Sequence, residues 1–163
     1  SISSAASDVY KRQGFGKELK MQWINNSTGK IIDNPKLYDI DKASLGYGYS
    51  LTSNSLQIAR AYSVFANEGV MVEPRILPDI KSKRVRVLSK STASFILDSL
   101  RMTVLDGTAS NLKNERVEIA GKTGTSEKYI EGVGYASEKY ISSFASIFPY
   151  NNPKFIMLSL IHI

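Results

Sequence analysis

Residues Ala120 to Thr125 read Ala-Gly-Lys-Thr-Gly-Thr. A lysine, a hydroxyl, a glycine and a second hydroxyl make a tool for holding a carboxylate beside a reacting carbonyl. In an extended strand Thr123 and Thr125 share one face, because side chains alternate with period two. The same alternation sends Lys122 to the opposite face, so strand twist or a bulge has to bring its long side chain round. Gly124 has no side chain to keep a ligand from the backbone.

Other chemistries are restricted by composition. The chain has no cysteine, and its one histidine is His162, near the C-terminus. Gly121-Lys122-Thr123 also looks like the end of a phosphate-binding loop. That loop needs a glycine five residues before Gly121, where Arg116 stands, and a helix immediately after. Gly124 and the strand-like pattern argue against the helix, so a nucleotide-binding site is rejected.

The two ends share an unusual relationship. Asp8-Val9-Tyr10-Lys11-Arg12-Gln13 can be encoded by GAT GTG TAT AAG AGA CAG. The reverse complement of that DNA translates as Leu-Ser-Leu-Ile-His-Ile, which is Leu158 to Ile163. One DNA element, resembling a transposase-type sequencing adapter, therefore accounts for both termini in opposite orientations. The expectation is that residues 1–13 and 158–163 are scars, to be set aside in fold reasoning. Residues 14–157 are then the protein proper, cut at both ends. His162 falls in a scar. With no cysteine either, a Ser-His-Asp or Cys-His site, a thiolate zinc site and a disulfide framework are all excluded within 14–157.

Over the whole chain the net charge is +6. Without Asp8, Lys11 and Arg12 it is +5, from 19 basic and 14 acidic residues. A basic chain favours anionic surroundings such as a cell wall or lipid headgroups, as a bias rather than a site. No run is apolar and long enough to span a bilayer.

The elements that must position the motif follow from patterning. Gly14 to Ser44 is polar, with turn signals at Asn25-Asn26, Thr28-Gly29 and Asp33-Asn34-Pro35, and a short strand at 30–32. A helix starts after Asn54, with Gln57 completing a capping-box-like pair. Ile58, Ala59, Tyr62, Phe65 and Ala66 form its apolar stripe, and Gly69 closes it. A second helix begins near Ser89 or Ser91, with Ala93, Ile96, Leu97, Leu100 and Val104 as its stripe, and ends at Asp106-Gly107. Between them, Lys81, Lys83, Arg84 and Arg86 form a basic run. No aromatic platform or nucleic-acid motif accompanies it, and it is read as a solvated strand face. Strands are expected at 117–125, 140–148 and 154–157, the last two joined as an antiparallel hairpin through Pro149 to Pro153. Helices followed by consecutive strands indicate an α+β fold.

The order of these features resembles the C-terminal half of the transpeptidase domain of class B penicillin-binding proteins. Gly14-Phe15-Gly16 is similar to the family's glycine-flanked phenylalanine. Gly46-Tyr47-Gly48 and the segment from Leu56 to Tyr62 resemble its glycine-tyrosine-glycine turn and following helix. Ala66-Asn67-Glu68-Gly69, Pro74 and Asp106-Gly107-Thr108-Ala109 continue the likeness. Ala120 to Thr125 matches the active-site strand, and Ser143-Phe144 begins its neighbour. Between Lys17 and Ser27 the chain departs from the family, lacking its threonine-glycine-isoleucine and proline-glycine-glutamate.

The resemblance implies an antiparallel sheet packed with helices, as in the serine transpeptidase and β-lactamase-like fold. It implies a serine-type D,D-transpeptidase that cross-links peptidoglycan stem peptides through an acyl-enzyme. Lys122 and Thr125 would be catalytic: Lys122 tunes charge and proton transfers, and the Thr125 N–H is an oxyanion-hole donor. Thr123, Gly124 and Thr125 would bind substrate. No cofactor, metal or nucleic acid is implied. The partners are peptidoglycan stem peptides, β-lactams as inhibitors, and other cell-wall or division proteins. The location is the bacterial cell envelope, at the outer face of the cytoplasmic membrane. The family's nucleophile is a serine three residues before a lysine on a helix. Ser27-Thr28-Gly29-Lys30 has that spacing but sits among turn residues, after the glycine-phenylalanine-glycine landmark rather than before it, and is read as coincidence. The nucleophile is then absent and the chain by itself inactive. A catalytically inactive sensor or scaffold of the same family stays open as the alternative.

Overall fold

The structure is a computed structural model that describes residues 10–19, 21, 26–31, 51–130 and 134–162. Asn25, Asp33-Asn34-Pro35 and Gly46-Tyr47-Gly48 lie outside the described residues. In chain order the elements are β1 (Lys30–Ile31), β2 (Leu51–Thr52), α1 (Ser55–Ala66), β3 (Val70–Val72) and β4 (Arg84–Arg86). Then come α2 (Lys90–Asp106), a 3₁₀ turn (Ser110–Leu112), β5 (Ala120–Ile130), β6 (Gly134–Phe148) and β7 (Phe155–His162). Two small antiparallel pairs, β1 with β2 and β3 with β4, accompany a three-stranded antiparallel sheet in the order β5-β6-β7. This is the expected α+β arrangement.

Both helix starts follow from their caps. Asn54 Oδ1 accepts the Gln57 N–H at 2.8 Å, and Gln57 Oε1 accepts the Asn54 N–H at 3.0 Å, closing the capping box. Ser89 Oγ accepts the Thr92 N–H at 3.0 Å at the start of α2. The chain leaves α1 through Gly69 at φ 91°, a conformation that glycine adopts without strain.

The buried face of α1 is not the predicted one. Gln57, Arg60, Ala61, Ser63 and Val64 are its buried residues, whereas Ile58, Ala59, Tyr62, Phe65 and Ala66 are half-buried. The helix is covered on two sides. Tyr62, Phe65 and Ala66 pack against the core of Leu100, Ala120 and Ile147. On the other side Gln57 Nε2 donates to the carbonyls of Lys17 (2.9 Å) and Thr28 (2.7 Å). Arg60 donates to both Glu73 oxygens at 3.0 Å and to the Gly14 carbonyl at 2.5 Å. Polar residues that bind an irregular segment leave no apolar period to read.

α2 buries Ala93, Leu100 and Val104 as expected, together with Arg101. It lies against β5, while α1 lies against β6 and β7. Of the basic run, Arg84 and Arg86 lie on exposed β4 and Lys81 and Lys83 on the connection before it; Arg86 Nη1 donates to the Glu68 carbonyl at 2.9 Å, just past the end of α1. Two stretches set aside as scars carry structure. Tyr10–Arg12 form a helical turn, with the Tyr10 ring edge-on to Phe15. Leu158–His162 continue β7 in register with β6.

Candidate active site

β5 starts later than the pattern suggests, at Ala120 rather than Val117. The two carbonyls before it have partners outside the sheet. Glu118 O accepts the Tyr150 N–H at 2.8 Å, and Ile119 O accepts from Arg101 Nη1 at 2.9 Å. Arg101 also pairs with Glu118 at 3.6 Å and lies 5.9 Å from the centroid of the Tyr150 ring. Tyr150 in turn donates to Asp98 Oδ1 at 2.8 Å. The Asp98 contact and burial hold the Tyr150 phenol above its usual pKa. This knot fixes the entry of β5 against α2. Arg101 was invisible in the helix stripe because it sits beside Leu100 as an isolated charge.

From Ala120 to Glu127 the ladder with β6 is unbroken, and the first register shift falls between Glu127 and Lys128. Alternation therefore holds through the motif. Lys122 and Gly124 stand opposite Ala145 and Ser143, on the face of Ala120 and Ile147. Thr123 and Thr125 stand opposite Phe144 and Ser142 on the other face. No bulge brings Lys122 round. Its side chain folds along its own strand, so that Nζ donates to Thr123 O at 2.8 Å and lies 3.5 Å from Thr123 Oγ1. The correction is to the means, since the lysine and the first threonine do meet.

The backbone also alternates. Ser143 Oγ donates to Gly124 O at 3.3 Å, across the pair with β6. Thr123 O, one residue away, is turned to Lys122 instead. In an antiparallel ladder, residues that point both backbone groups at the partner alternate with residues that point both away. Thr125, two residues after Thr123, accordingly directs its N–H away from β6. β5 has no strand on that side among the described residues, so the group faces a free edge. At Gly124 an added Cβ would lie 2.6 Å from Ser143 Oγ, so glycine makes room for the serine.

One further hydroxyl joins the group. Thr108 Oγ1 lies 2.7 Å from Thr123 Oγ1, brought there by the turn after α2. In the sequence Thr108 was legible only as part of a glycine-threonine landmark, with no partner indicated. Ser27 takes no part in a helix: its Oγ accepts the Gly29 N–H at 3.2 Å, and Lys30 begins β1. Strand continues through Thr125 where a phosphate-binding loop would need a helix. A basic cleft of about 550 Å³, lined by Lys17, Arg60, Glu73, Arg75, Lys81 and Lys83 among others, includes no residue of β5.

An edge strand carrying lysine, two threonines and an outward N–H, backed by a helix and next to a long antiparallel hairpin, is matched elsewhere. Residues 3–162 match the penicillin binding protein transpeptidase domain. The chain belongs to the penicillin-binding transpeptidase family. A peptidoglycan D,D-transpeptidase FtsI homolog of Mesostigma viride is 31% identical over 203 residues, covering 99% of this chain and 34% of that protein. Peptidoglycan D,D-transpeptidase FtsI of Escherichia coli is 28% identical, covering 98% of this chain and 27% of that protein. The apo transpeptidase domain of Burkholderia pseudomallei penicillin-binding protein 3 superposes with a TM-score of 0.83 at 26% identity, over 98% of this chain and 52% of that one. Penicillin-binding protein 3 of Mycobacterium tuberculosis, solved with ampicillin, gives 0.83 at 26% identity, over 95% and 38%. The chain thus spans about a third or less of its curated relatives and about half of one solved domain.

Proposed function

We propose that this chain is the part of a serine D,D-transpeptidase that binds the substrate carboxylate and polarises the scissile carbonyl. The observation that carries the reading is the edge of β5, where the Lys122 ammonium meets Thr123 and the Thr125 N–H follows two residues along the same strand. An ammonium and a hydroxyl suit a C-terminal carboxylate. A preorganised backbone N–H suits the oxyanion that forms when a carbonyl becomes tetrahedral.

In this scheme a serine Oγ from outside the chain bonds to the carbonyl carbon of a D-alanyl-D-alanine stem peptide. The oxyanion forms at the Thr125 N–H. The C–N bond then breaks, terminal D-alanine departs with a proton, and an acyl-serine remains. An amine of a second stem peptide attacks the ester, forms the cross-link and restores the serine. β-lactams acylate the same serine and keep it. The activity belongs to the outer face of the cytoplasmic membrane, where peptidoglycan and other cell-wall proteins meet it.

Residues 14–157 are proposed as the domain-derived part, with 1–13 and 158–163 as scars of one DNA element. Resequencing the gene from source DNA without that element should give other codons outside 14–157. Recovering the same codons overturns this assignment.

The functional test is a labelled penicillin. The complete protein should take one covalent label, on a serine outside residues 14–157, and this chain alone should take none. A label on Ser27 or any other serine in the chain overturns the placement of the nucleophile. No label on the complete protein identifies the inactive relative.

A further inference from the structure

The hydroxyl pair between Thr108 and Thr123 has a direction that its surroundings decide. A threonine hydroxyl has one proton to donate and two lone pairs to accept with. Among the described residues Thr123 Oγ1 has two polar neighbours, the Lys122 ammonium at 3.5 Å and Thr108 Oγ1 at 2.7 Å. The ammonium can only donate. If Thr123 gave its proton to Thr108, its hydroxyl would offer only lone pairs outward, and a carboxylate there would be repelled. If Thr108 donates, Thr123 accepts from both neighbours and its own proton points away from them. That second arrangement is the one a carboxylate requires.

The turn that delivers Thr108 is built tightly. The N–H groups of Gly107 and Ala109 both donate to Thr103 O, at 3.1 and 3.2 Å. Ala109 is buried, and Thr108 between them is exposed. A Cβ on Gly107 would meet Thr103 O at 2.8 Å and Thr103 Cα at 2.9 Å. Glycine is therefore required there by the close approach to the helix end. The last turn of α2 holds the Thr108 hydroxyl in place over the motif strand.

We infer that Thr108 is a positioning residue: its hydroxyl donates to Thr123 Oγ1 and turns the Thr123 proton toward the substrate carboxylate. The inference rests on the reading of β5 as the carboxylate site. It adds a residue from a separate element to that site and fixes the proton arrangement within it.

The test uses the complete protein and measures second-order acylation rates with a penicillin and with its carboxylate methyl ester. Thr108→Val keeps the shape and removes the hydroxyl. It should slow acylation by the free acid about five- to tenfold, the size of one net hydrogen bond, and leave the rate with the ester within about twofold. Thr108→Ser should restore the acid rate. Thr108→Val added to Thr123→Val should slow the reaction no further, because the second hydroxyl has lost its recipient. A variant damaged only in its fold would lose acid and ester rates together and would melt earlier. If Thr123→Val and Lys122→Ala slow the acid and Thr108→Val does not, the inference fails and the carboxylate site stands. If neither Thr123→Val nor Lys122→Ala slows it, the carboxylate site itself fails.

Discussion

Replacing Lys122 by alanine in the complete protein separates a working group from a decorative one. The lysine side chain is exposed, and among the described residues its two contacts are both with Thr123, at 2.8 and 3.5 Å. Water replaces such contacts readily, so the melting free energy should change by no more than about 0.5 kcal/mol. The rate should behave differently. An ammonium that meets charge in the transition state inside a partly water-excluded site contributes about 2–4 kcal/mol. At about 1.4 kcal/mol per tenfold, acylation by penicillin should slow roughly 30- to 900-fold. The assay is the second-order acylation rate beside a thermal melt, with Lys83→Ala on the exposed β3–β4 connection as a control. Parental acylation by the Lys122→Ala protein, with an unchanged melt, would refute the assignment of β5. An equal loss of rate and stability would refute the argument that the contacts are solvent-exchangeable.

Three further outcomes follow from the fold. Gln57→Leu keeps side-chain volume but strips partners from the Lys17 and Thr28 carbonyls and from the Asn54 N–H. With Gln57 fully buried, denaturant unfolding should register a loss of about 2–4 kcal/mol. Gly121→Ala would place a Cβ 2.7 Å from both Ala145 O and Phe144 Cζ. Because the carbonyl belongs to the paired strand, melting should show about 1–3 kcal/mol of destabilisation, and an unchanged melt would mean that the strands are looser than drawn. The Tyr150 phenol is raised in the fold by its bond to Asp98, so the native state keeps this proton when the unfolded chain has lost it. Its contribution is full below about pH 10 and falls as pH rises above that value. Tyr150→Phe should flatten the alkaline part of a melt-against-pH curve relative to the parent.

Where local chemistry decides structure, the sequence was readable. The Asn54–Gln57 capping box, the Ser89 cap, the stop at Gly107 and the β6–β7 hairpin all depend on neighbours within a few residues. The motif strand was also readable, since alternation needs only its own residues. Long-range polar contacts escaped. Arg60 reaches Gly14 across 46 positions, and Gln57 reaches Lys17 across 40, so the apolar stripe of α1 did not mark its more buried face. Arg101 and Thr108 escaped for the same reason: their partners lie more than ten residues later, at Glu118, Ile119 and Tyr150 for Arg101 and at Thr123 for Thr108. The Lys122 contact was expected, but through strand twist or a bulge, because a strand pattern carries no record of how a flexible side chain folds along its own backbone.

The register shift between Glu127 and Lys128 divides the β5–β6 hairpin into two regions that differ in how they tolerate a change of length. On the near side, from Ala120 to Glu127, a single inserted or deleted residue would exchange the two faces of the strand. Thr123 and Thr125 would trade places with Lys122 and Gly124, and every backbone group now at the edge would turn inward. Beyond Lys128 the pairing has already been reset once, so a change of length there is absorbed before it reaches the motif. Related chains can therefore diverge in the length of this hairpin's far end while the eight positions beside the site keep their count.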